Sequence, residues 1–427
     1  MGNSQDRSRW TPEFEEASKR FHQIGLQALR KLYVSLAAQS RSHGKFISAS
    51  AFQAYFGIHG ALGNRLFDVV TQMRKDQCMY FEDLVIAKAK YEKGGPSEIE
   101  EFEFQLLDLT GDGKIQRTEV EAVIISVLAT VLGPSDAVVD AGLPEEVLRA
   151  FLNAADFSLQ PESEGEEPCM TSQDFRNWLE MIPSIKKFLS SLLKAPHADE
   201  VIVGRQVPTL LVPEGSEHST LLRKEYAWHI AGPLQQQESQ EWVLLYHSSV
   251  NGLSFNTFLG NISVARGSSI IVIKDKQGNI FGGYASHPWE KHSEFYGDMK
   301  SFLFTLHPKL SLYRCSGKNT NIQWCAANYV SESLPNGIGF GGQIHHFGLF
   351  LAASFDKGHS RPSVTFNSPA LSSTSDFEPD TIECWAVLVD TDGDSQSGAE
   401  KVKGTILERF KEERQMLNMV GIANASN

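Results

Sequence analysis

The chain has 427 residues, of which 41% are hydrophobic and 21% charged, and its formal net charge is −13. This globular composition favours two or three folded domains, and the negative charge argues against a nucleic-acid partner because it repels phosphate backbones. The five cysteines form no Cys-x-x-Cys pair, which favours reduced thiols over disulfides or a zinc site. The sequence shows no apolar signal segment and no apolar run long enough to span a membrane, so we expect a cytoplasmic protein.

The first residues are similar to a lipidation signal. Removal of Met1 would expose Gly2 for myristoylation, although Asp6 stands where the motif prefers Ser or Thr. A single myristoyl chain gives only marginal membrane binding, with an association constant on the order of 10⁴ M⁻¹. We therefore interpret residues 1–12 as a tail that either carries a lipid on Gly2 or is a short disordered terminus.

The following part of the chain, residues 13–195, has the apolar spacing of helices. Helices are predicted at residues 14–38, 48–56, 62–74, 81–91, 98–107, 118–132, 145–154 and 172–193. They come in pairs about 35–45 residues apart, which is typical of a repeated helix-loop-helix unit.

Residues 108–119 match the twelve-residue Ca²⁺ loop of an EF-hand. Gly113 stands at the sixth position, where the loop turns sharply, and Ile115 stands at the eighth, where two loops usually pair. The predicted oxygen ligands are Asp108, Thr110, Asp112, the backbone carbonyl of Lys114, and Glu119. A hard cation such as Ca²⁺ prefers 6–8 oxygens of this kind. Ca²⁺ is therefore the cofactor that the sequence predicts.

The Ca²⁺ loop departs from the strict pattern at one ligand. Thr110 replaces Asp or Asn at the third position, so we expect an affinity of about 10⁻⁷–10⁻⁵ M or weaker. The competing interpretation is an EF-hand fold that binds no metal. Ser97 and Glu100 have the spacing of a capping box and are predicted to cap the entering helix.

The other helix pairs resemble degenerate EF-hands. Residues 39–50 place Gly44 and Phe46 at the turning and pairing positions but offer no carboxylate ligand. Residues 68–84 show helices without a recognisable loop, and an acidic, proline-flanked run stretches the loop at 155–172. We interpret these pairs as structural partners of the Ca²⁺ loop.

The composition changes near residues 196–203 to alternating, aromatic-rich segments separated by Gly, Pro, Asn and Ser. Strands are predicted at 242–246, 269–274, 280–284, 301–306, 347–352 and 383–389, with a helix near 220–230. The predicted fold is therefore α+β, with a helical domain at 13–195, a β-rich domain at 200–390 and an amphipathic helix at 398–422. The apolar stripe of that last helix includes Val402, Ile406, Phe410 and Leu417.

The β-rich half carries sequence blocks that resemble the TLDc domain family in their order. The blocks are 242–249, 251–255, 271–284, 295–298, 301–304, 336–342, 347–349, 366–369 and 382–385. They extend over roughly residues 205–390. Together with the Met-Gly start, the EF-like half and the trailing helix, they make the chain similar to the mTOR-associated, lysosomal TLDc subfamily and to EF-hand TLDc proteins of plants.

The resemblance implies a β-sandwich with helices, no established catalytic chemistry, and binding to subunits of the vacuolar-type proton pump (V-ATPase). It also implies a link to TOR pathway proteins and peripheral association with the lysosomal or vacuolar membrane. By the same analogy, the stripe of Val402, Ile406, Phe410 and Leu417 would contact the central stalk of the pump. The alternative is that this helix packs on its own domain.

Two features bear on an enzymatic alternative. The glycine-rich stretch 336–342 lacks the strand-then-helix context of a phosphate cradle, so its glycines are predicted to serve tight turns. The side chains of His287, Glu290, His292 and Asp298 lie close in sequence and either line a site or form a polar loop.

The leading hypothesis is thus a non-enzymatic, Ca²⁺-binding adaptor that regulates the pump and is linked to TOR signalling. The alternatives are an oxidative-stress protection protein with an unrecognised activity, and a signalling scaffold whose partner is not the pump.

Overall fold

The computed structural model describes residues 11–389, except for 41–43, 73, 134–142, 161–166, 195–201, 203, 214–219, 264–266 and 332. Predictions for Gly2 and for the helix at 398–422 lie outside the described residues. Two compact units emerge: one contains the chain up to Glu180 with Ile185–Gln206, and the other contains Met181–Ser184 with the chain from Val207 onward. No helix in the described ranges has the length and apolar character needed to cross a membrane.

The first half of the chain is helical. Its helices are α1 (Pro12–Lys19), α2 (Gln23–Gln39), α3 (Ala49–Phe56), α4 (Gly60–Val70), α5 (Phe81–Lys93), α6 (Pro96–Leu107), α7 (Arg117–Leu132), α8 (Glu145–Leu152), α9 (Ser172–Met181) and α10 (Pro183–Leu189).

Two predicted helices are each two helices in the structure. The stretch 14–38 is divided between α1 and α2, with the break at residues 20–22. Phe14 of α1 and Leu29 of α2 lie in one apolar cluster with Val85 and Ile86 of α5. The stretch 172–193 is divided at Pro183, whose ring and missing N–H end one helix and suit the first turn of the next.

Short antiparallel bridges join the helix-connecting loops in pairs. Ile115 pairs with Met170 through the two-residue strands β1 (Ile115–Gln116) and β2 (Cys169–Met170), and Ile47 pairs with Met79. Among the described residues, four helix-loop-helix units result: α2–α3, α4–α5, α6–α7 and α8–α9. This is the pairing expected of EF-hand loops, in which the eighth residues face each other.

The observed bridges correct two predictions. Residue 47 rather than Phe46 is the pairing residue of the first loop, so that loop lies one residue later than predicted. The region 68–84 does contain a loop: if Met79 is its eighth residue, it covers residues 72–83 and ends at Asp83. The sequence pattern hid this loop because Gln72 and Arg74 replace the carboxylates usual at its first and third positions.

The start of α6 also differs from the prediction. Pro96 occupies its first turn, and the side chain of Glu98 accepts the N–H of Gly95 at 3.1 Å. The cap therefore lies two residues before the predicted pair Ser97 and Glu100. Proline favours this earlier start because its fixed φ suits the first helical position and no N–H is needed there.

The second half of the chain consists mainly of strands. They are β3 (Thr209–Leu211), β4 (Glu241–His247), β5 (Ser269–Asp275), β6 (Ile280–Ala285), β7 (Phe302–His307), β8 (Ser311–Arg314), β9 (Gln323–Ala326), β10 (Gly337–Gln343), β11 (His346–Ala352), β12 (Gly358–His359), β13 (Asp376–Phe377) and β14 (Pro379–Leu388). Its helices are α11 (Lys224–Ala231), α12 (Ser248–Asn251) and α13 (Phe255–Ile262).

These strands build two sheets that share one core. The larger sheet has the order β3-β4-β14-β5-β6-β7-β8, and the smaller has the order β13-β12-β11-β10-β9. Ile271 and Phe281 of the larger sheet lie in the same buried cluster as Phe340 and Leu349 of the smaller sheet. Because apolar faces of both sheets meet there, the second half is a β-sandwich. The predicted α+β class is confirmed.

The glycine-rich stretch is strand β10, in the interior of the smaller sheet, so the prediction that its glycines serve tight turns is wrong. A Cβ on Gly339 would lie 3.0 Å from the ring of Phe347, and one on Gly341 would lie 2.7 Å from the ring of Phe366. The glycines therefore admit aromatic neighbours. Positive φ occurs at both ends of the strand, at +151° for Gly337, +65° for Gly341 and +81° for Gly342.

Candidate metal centre

The loop between α6 and α7 has the backbone of a Ca²⁺ loop. Gly111 and Gly113 adopt φ of +78° and +83°, which glycine reaches without the strain of a Cβ. The side chain of Ile115 is buried and its backbone pairs with the neighbouring loop. The loop is therefore held at both ends by helices and at its middle by a β-bridge.

Asp108 organises the first half of this loop. Its side chain is buried, and Oδ1 accepts the N–H groups of Gly111 at 2.7 Å and Asp112 at 3.1 Å. Oδ2 accepts the N–H of Gly113 at 2.9 Å. These bonds satisfy the buried carboxylate and wrap the backbone around it.

Glu119 closes the loop from the first turn of α7. Its Oε1 accepts the N–H of Thr110 at 2.9 Å and its Oε2 accepts the N–H of Gln116 at 2.9 Å. One carboxylate thus satisfies a free N–H at the start of α7 and links the third residue of the loop to the twelfth.

The three other predicted ligands lie at the surface side of the loop. The hydroxyl of Thr110 is 3.4 Å from Oδ1 of Asp108, and Oδ1 of Asp112 accepts the N–H of Lys114 at 2.8 Å. Across the described ranges, no three His, Cys, Asp or Glu side chains are already gathered around a common point. All the predicted ligands are oxygens, which Ca²⁺ prefers. In this structure the carboxylates of Asp108, Asp112 and Glu119 accept hydrogen bonds from backbone N–H groups. Ca²⁺ binding stays a prediction.

Asp83 and Asp174 are the twelfth residues of the two loops whose eighth residues are Met79 and Met170. Both carboxylates accept hydrogen bonds from other groups of the chain. Asp83 accepts both Nε and Nη2 of Arg74, at 3.1 and 3.0 Å. Asp174 accepts the hydroxyl of Ser158 at 2.6 Å and the N–H of Thr171 at 2.9 Å. Although burial opposes the shift, these donors lower the pKa of Asp174 to about 2. Of these three loops, 108–119 alone keeps acidic groups at the first, fifth and twelfth positions.

Sequence reasoning missed Asp83, Arg74 and Asp174 as members of such loops. Counting from the bridged residues Met79 and Met170 assigns them, because the eighth residue fixes the twelfth. No sequence signal short of that pairing identifies them.

The polar side chains considered for an enzymatic site separate into two exposed pairs. Nδ1 of His287 is 3.7 Å from a carboxylate oxygen of Asp298, and Nε2 of His292 is 3.7 Å from one of Glu290. Paired in this way at the surface, they form a polar loop rather than one convergent site. The partner-binding residues predicted at 402–417 lie outside the described residues.

Residues 215–388 match the TLDc domain family. The "MTOR-associated protein MEAK7" of Mus musculus is 33% identical over 261 residues, covering 58% of this chain and 54% of that protein. Its Homo sapiens counterpart is 32% identical over 252 residues, covering 57% and 54%. The "Nuclear receptor coactivator 7" of Homo sapiens is 30% identical over 177 residues, covering 41% of this chain and 18% of that protein.

The chain thus spans about half the length of the MEAK7 relatives that it matches. The family match coincides with the β-sandwich and includes strands β4 to β14. Both the order of the sequence blocks and the observed fold agree with this match. Residues 215–388 therefore match a TLDc domain, and EF-hand-like helix pairs lie in the first half of the chain.

Proposed function

We propose that this protein is a non-enzymatic, Ca²⁺-binding adaptor that regulates the V-ATPase and is linked to TOR signalling. The observation that carries the proposal is the loop at 108–119, which keeps acidic groups at its first, fifth and twelfth positions, whereas the loops ending at Asp83 and Asp174 do not. The TOR link is supported by the relatives whose name describes them as mTOR-associated. The pump is supported by the resemblance of the sequence blocks to the TLDc family.

In this proposal Asp108, Thr110, Asp112, the carbonyl of Lys114, and Glu119 would hold the metal. Ca²⁺ would supply the positive charge that balances the acidic groups of the loop. Glu119 lies in the first turn of α7 and Asp108 directly follows the last residue of α6, so a change in the loop acts on both helices. A change of partner affinity requires that Ca²⁺ favours one arrangement of these helices over another.

The thiols of the sandwich bear on the oxidative-stress alternative. Burial raises the pKa of Cys315 to about 11 and the pKa of both Cys325 and Cys384 to about 12. Peroxides and disulfides react with the thiolate, so these protonated thiols are poor nucleophiles. An oxidative-stress protein that works through a reactive cysteine of the sandwich is therefore disfavoured.

Membrane attachment is part of the same proposal. A lipid on Gly2 would give only marginal binding by itself, and the helix predicted at 398–422 would add a second contact, to the pump. The adaptor would then lie on the lysosomal or vacuolar membrane as a peripheral protein.

The first test is a calorimetric Ca²⁺ titration of the full chain and of two variants. Wild type should bind one Ca²⁺ and Glu119→Gln should bind none below millimolar concentration, because it loses the closing carboxylate. Asp174→Asn is the matched control, since it removes the twelfth-position carboxylate of a loop with internal donors, and it should bind like wild type. Absence of Ca²⁺ binding to wild type at millimolar concentration would overturn the metal part of the proposal.

The second test measures partner binding. Purified V-ATPase and TOR complexes are captured on the immobilised chain with Ca²⁺ and with a chelator. The adaptor proposal expects pump binding whose affinity depends on Ca²⁺ in wild type and not in Glu119→Gln. If Ca²⁺ raises the melting temperature and leaves every partner affinity unchanged, the metal is structural and carries no signal.

A further inference from the structure

An arginine from a neighbouring helix pair reaches the loop at 108–119. Nη2 of Arg65, on α4, lies 3.7 Å from Oδ2 of Asp108. Both side chains are more than nine-tenths buried, with 5% and 7% of their surface exposed. A guanidinium is always charged, so a full positive charge lies beside the carboxylate that begins the predicted metal site.

Contacts on both sides hold Arg65 at this place. Its Nε donates to the carbonyl of Gln105, on α6, at 2.8 Å. One turn earlier on α4, the N–H of Leu62 faces the hydroxyl of Ser126, on α7, at 3.4 Å. Helix α4 thus contacts each of the two helices that flank the loop, and the guanidinium has little freedom to leave.

We propose that Arg65 is a built-in competitor of Ca²⁺ that weakens the affinity of the loop and stabilises its metal-free form. This inference rests on the proposed function, since it concerns the affinity of the same site. It adds a residue outside the twelve-residue loop to those that determine how much Ca²⁺ the loop needs.

The physical basis is that the carboxylate of Asp108 attracts both the Arg65 guanidinium and the predicted Ca²⁺. A coordinated Ca²⁺ lies about 2.3–2.6 Å from a carboxylate oxygen, so it would lie within roughly 6 Å of the Arg65 guanidinium. Charges of like sign at that distance repel, and burial leaves little water to screen them. Before the metal enters, the same guanidinium attracts Asp108. Both effects favour the metal-free loop, and together we expect them to weaken Ca²⁺ binding about tenfold.

In the loop at 72–83, an arginine lies closer to a carboxylate than Arg65 does to Asp108. There Arg74 contacts Asp83 directly, at 3.0 and 3.1 Å, so an arginine takes the role of the cation within the loop. At Asp108 the arginine comes from outside the loop. Nη2 of Arg65 lies 3.7 Å from Asp108, whereas Nη2 of Arg74 lies 3.0 Å from Asp83. The longer contact is an ion pair rather than a hydrogen bond, so a metal can bind Asp108 while Arg65 stays in place.

The test compares Ca²⁺ dissociation constants of wild type, Arg65→Gln and Arg65→Lys by calorimetry on the full chain. Arg65→Gln removes the charge and keeps a donor for the carbonyl of Gln105, and it should bind Ca²⁺ about tenfold more tightly. Arg65→Lys keeps the charge and should stay within about threefold of wild type. Equal affinities of wild type and Arg65→Gln would overturn the inference.

The outcomes separate this inference from the proposed function. If wild type binds no Ca²⁺ and Arg65→Gln binds it, competition by Arg65 is supported and the wild-type chain is no Ca²⁺ sensor. If neither binds, both proposals are overturned.

A metal-free measurement gives a second, independent result. In chelator, Arg65→Gln and Asp108→Asn should each lower the melting temperature, and the double variant should lose less than the sum of the two, because they share one interaction. Strict additivity would overturn the stabilising role assigned to Arg65.

Discussion

The guanidinium of Arg74 lies against the carboxylate of Asp83, with Nε and Nη2 3.1 and 3.0 Å from Oδ1. The other carboxylate oxygen accepts the N–H of Tyr80 at 2.8 Å. These two residues are the third and twelfth of the loop at 72–83. A side chain thus supplies the positive charge that a metal supplies in a Ca²⁺ loop, and this EF-hand-like unit is held together by the chain itself.

We expect Arg74→Met to destabilise the chain by about 1–3 kcal/mol at pH 7, as measured by urea unfolding. The carboxylate of Asp83 is fully buried, and burial already raises its pKa despite the opposing effect of Arg74. Without the guanidinium the pKa should rise further. The loss should therefore be largest above that pKa and shrink in acid, where Asp83 is protonated.

The control for this prediction is Lys90→Met, which breaks the exposed ion pair with Glu13 and removes the same charge. It should cost well under about 1 kcal/mol. A loss as large as that of Arg74→Met would show that net charge matters rather than the buried pair.

Stability should depend on pH through Glu103, on α6. Burial, helped by Glu100 and opposed by Lys186, raises the pKa of Glu103 from 4.5 to about 7. The folded state therefore binds the proton more tightly than the unfolded state. The associated stability is fully present below about pH 4.5, falls as the pH rises, and is lost above about pH 7.

Replacement of Glu103 by Gln should remove this dependence. At pH 8 the variant should be more stable than wild type by up to roughly 3 kcal/mol, and at pH 4.5 the two should be alike. Urea midpoints across pH 4.5–8 measure the difference, with Glu101→Gln, an exposed carboxylate of the same helix, as the control. Parallel curves for wild type and Glu103→Gln would contradict the assignment.

In the sandwich, Glu383 ties a loop to the larger sheet. Its carboxylate is fully buried and accepts the N–H groups of Leu221 and Leu222 and the indole N–H of Trp385. Glu383→Gln places an NH₂ group against these donors, so we expect a loss of about 2–4 kcal/mol. Chemical unfolding followed by tryptophan fluorescence measures it.

The matched control for Glu383 is Glu378→Gln, at an exposed ion pair with Lys276. That variant should be close to wild type in stability. A small effect of Glu383→Gln would mean that the sheet retains the 221–222 loop without the carboxylate.

The sandwich thiols should react slowly in the folded chain. At pH 7.4, a chromogenic disulfide reagent should modify Cys315, Cys325 and Cys384 only after denaturant is added, because burial keeps them protonated. Mass spectrometry of the modified peptides identifies each site. Rapid labelling of any of the three in the native chain would reopen the oxidative-stress alternative.

The larger pattern of the fold could be predicted because it depends on local spacing. Helix periodicity located the helices around the loop at 108–119, and strand alternation located β4, β5, β6 and β11 to within a few residues. The glycine-rich strand β10 escaped prediction because glycine carries no strand preference of its own. Its extended state depends on hydrogen bonds with β9 and β11 and on aromatic rings that fill the space beside its glycines.

The sequence alone determined the donor set of the candidate metal centre, since Asp108, Asp112 and Glu119 follow one another at a spacing that any twelve-residue Ca²⁺ loop requires. Only the tertiary structure decided what surrounds those donors. It brought Arg65 to Asp108 from a different helix pair. Ligand spacing is a property of one short segment, whereas the charge and burial around a carboxylate depend on which distant segments pack against it.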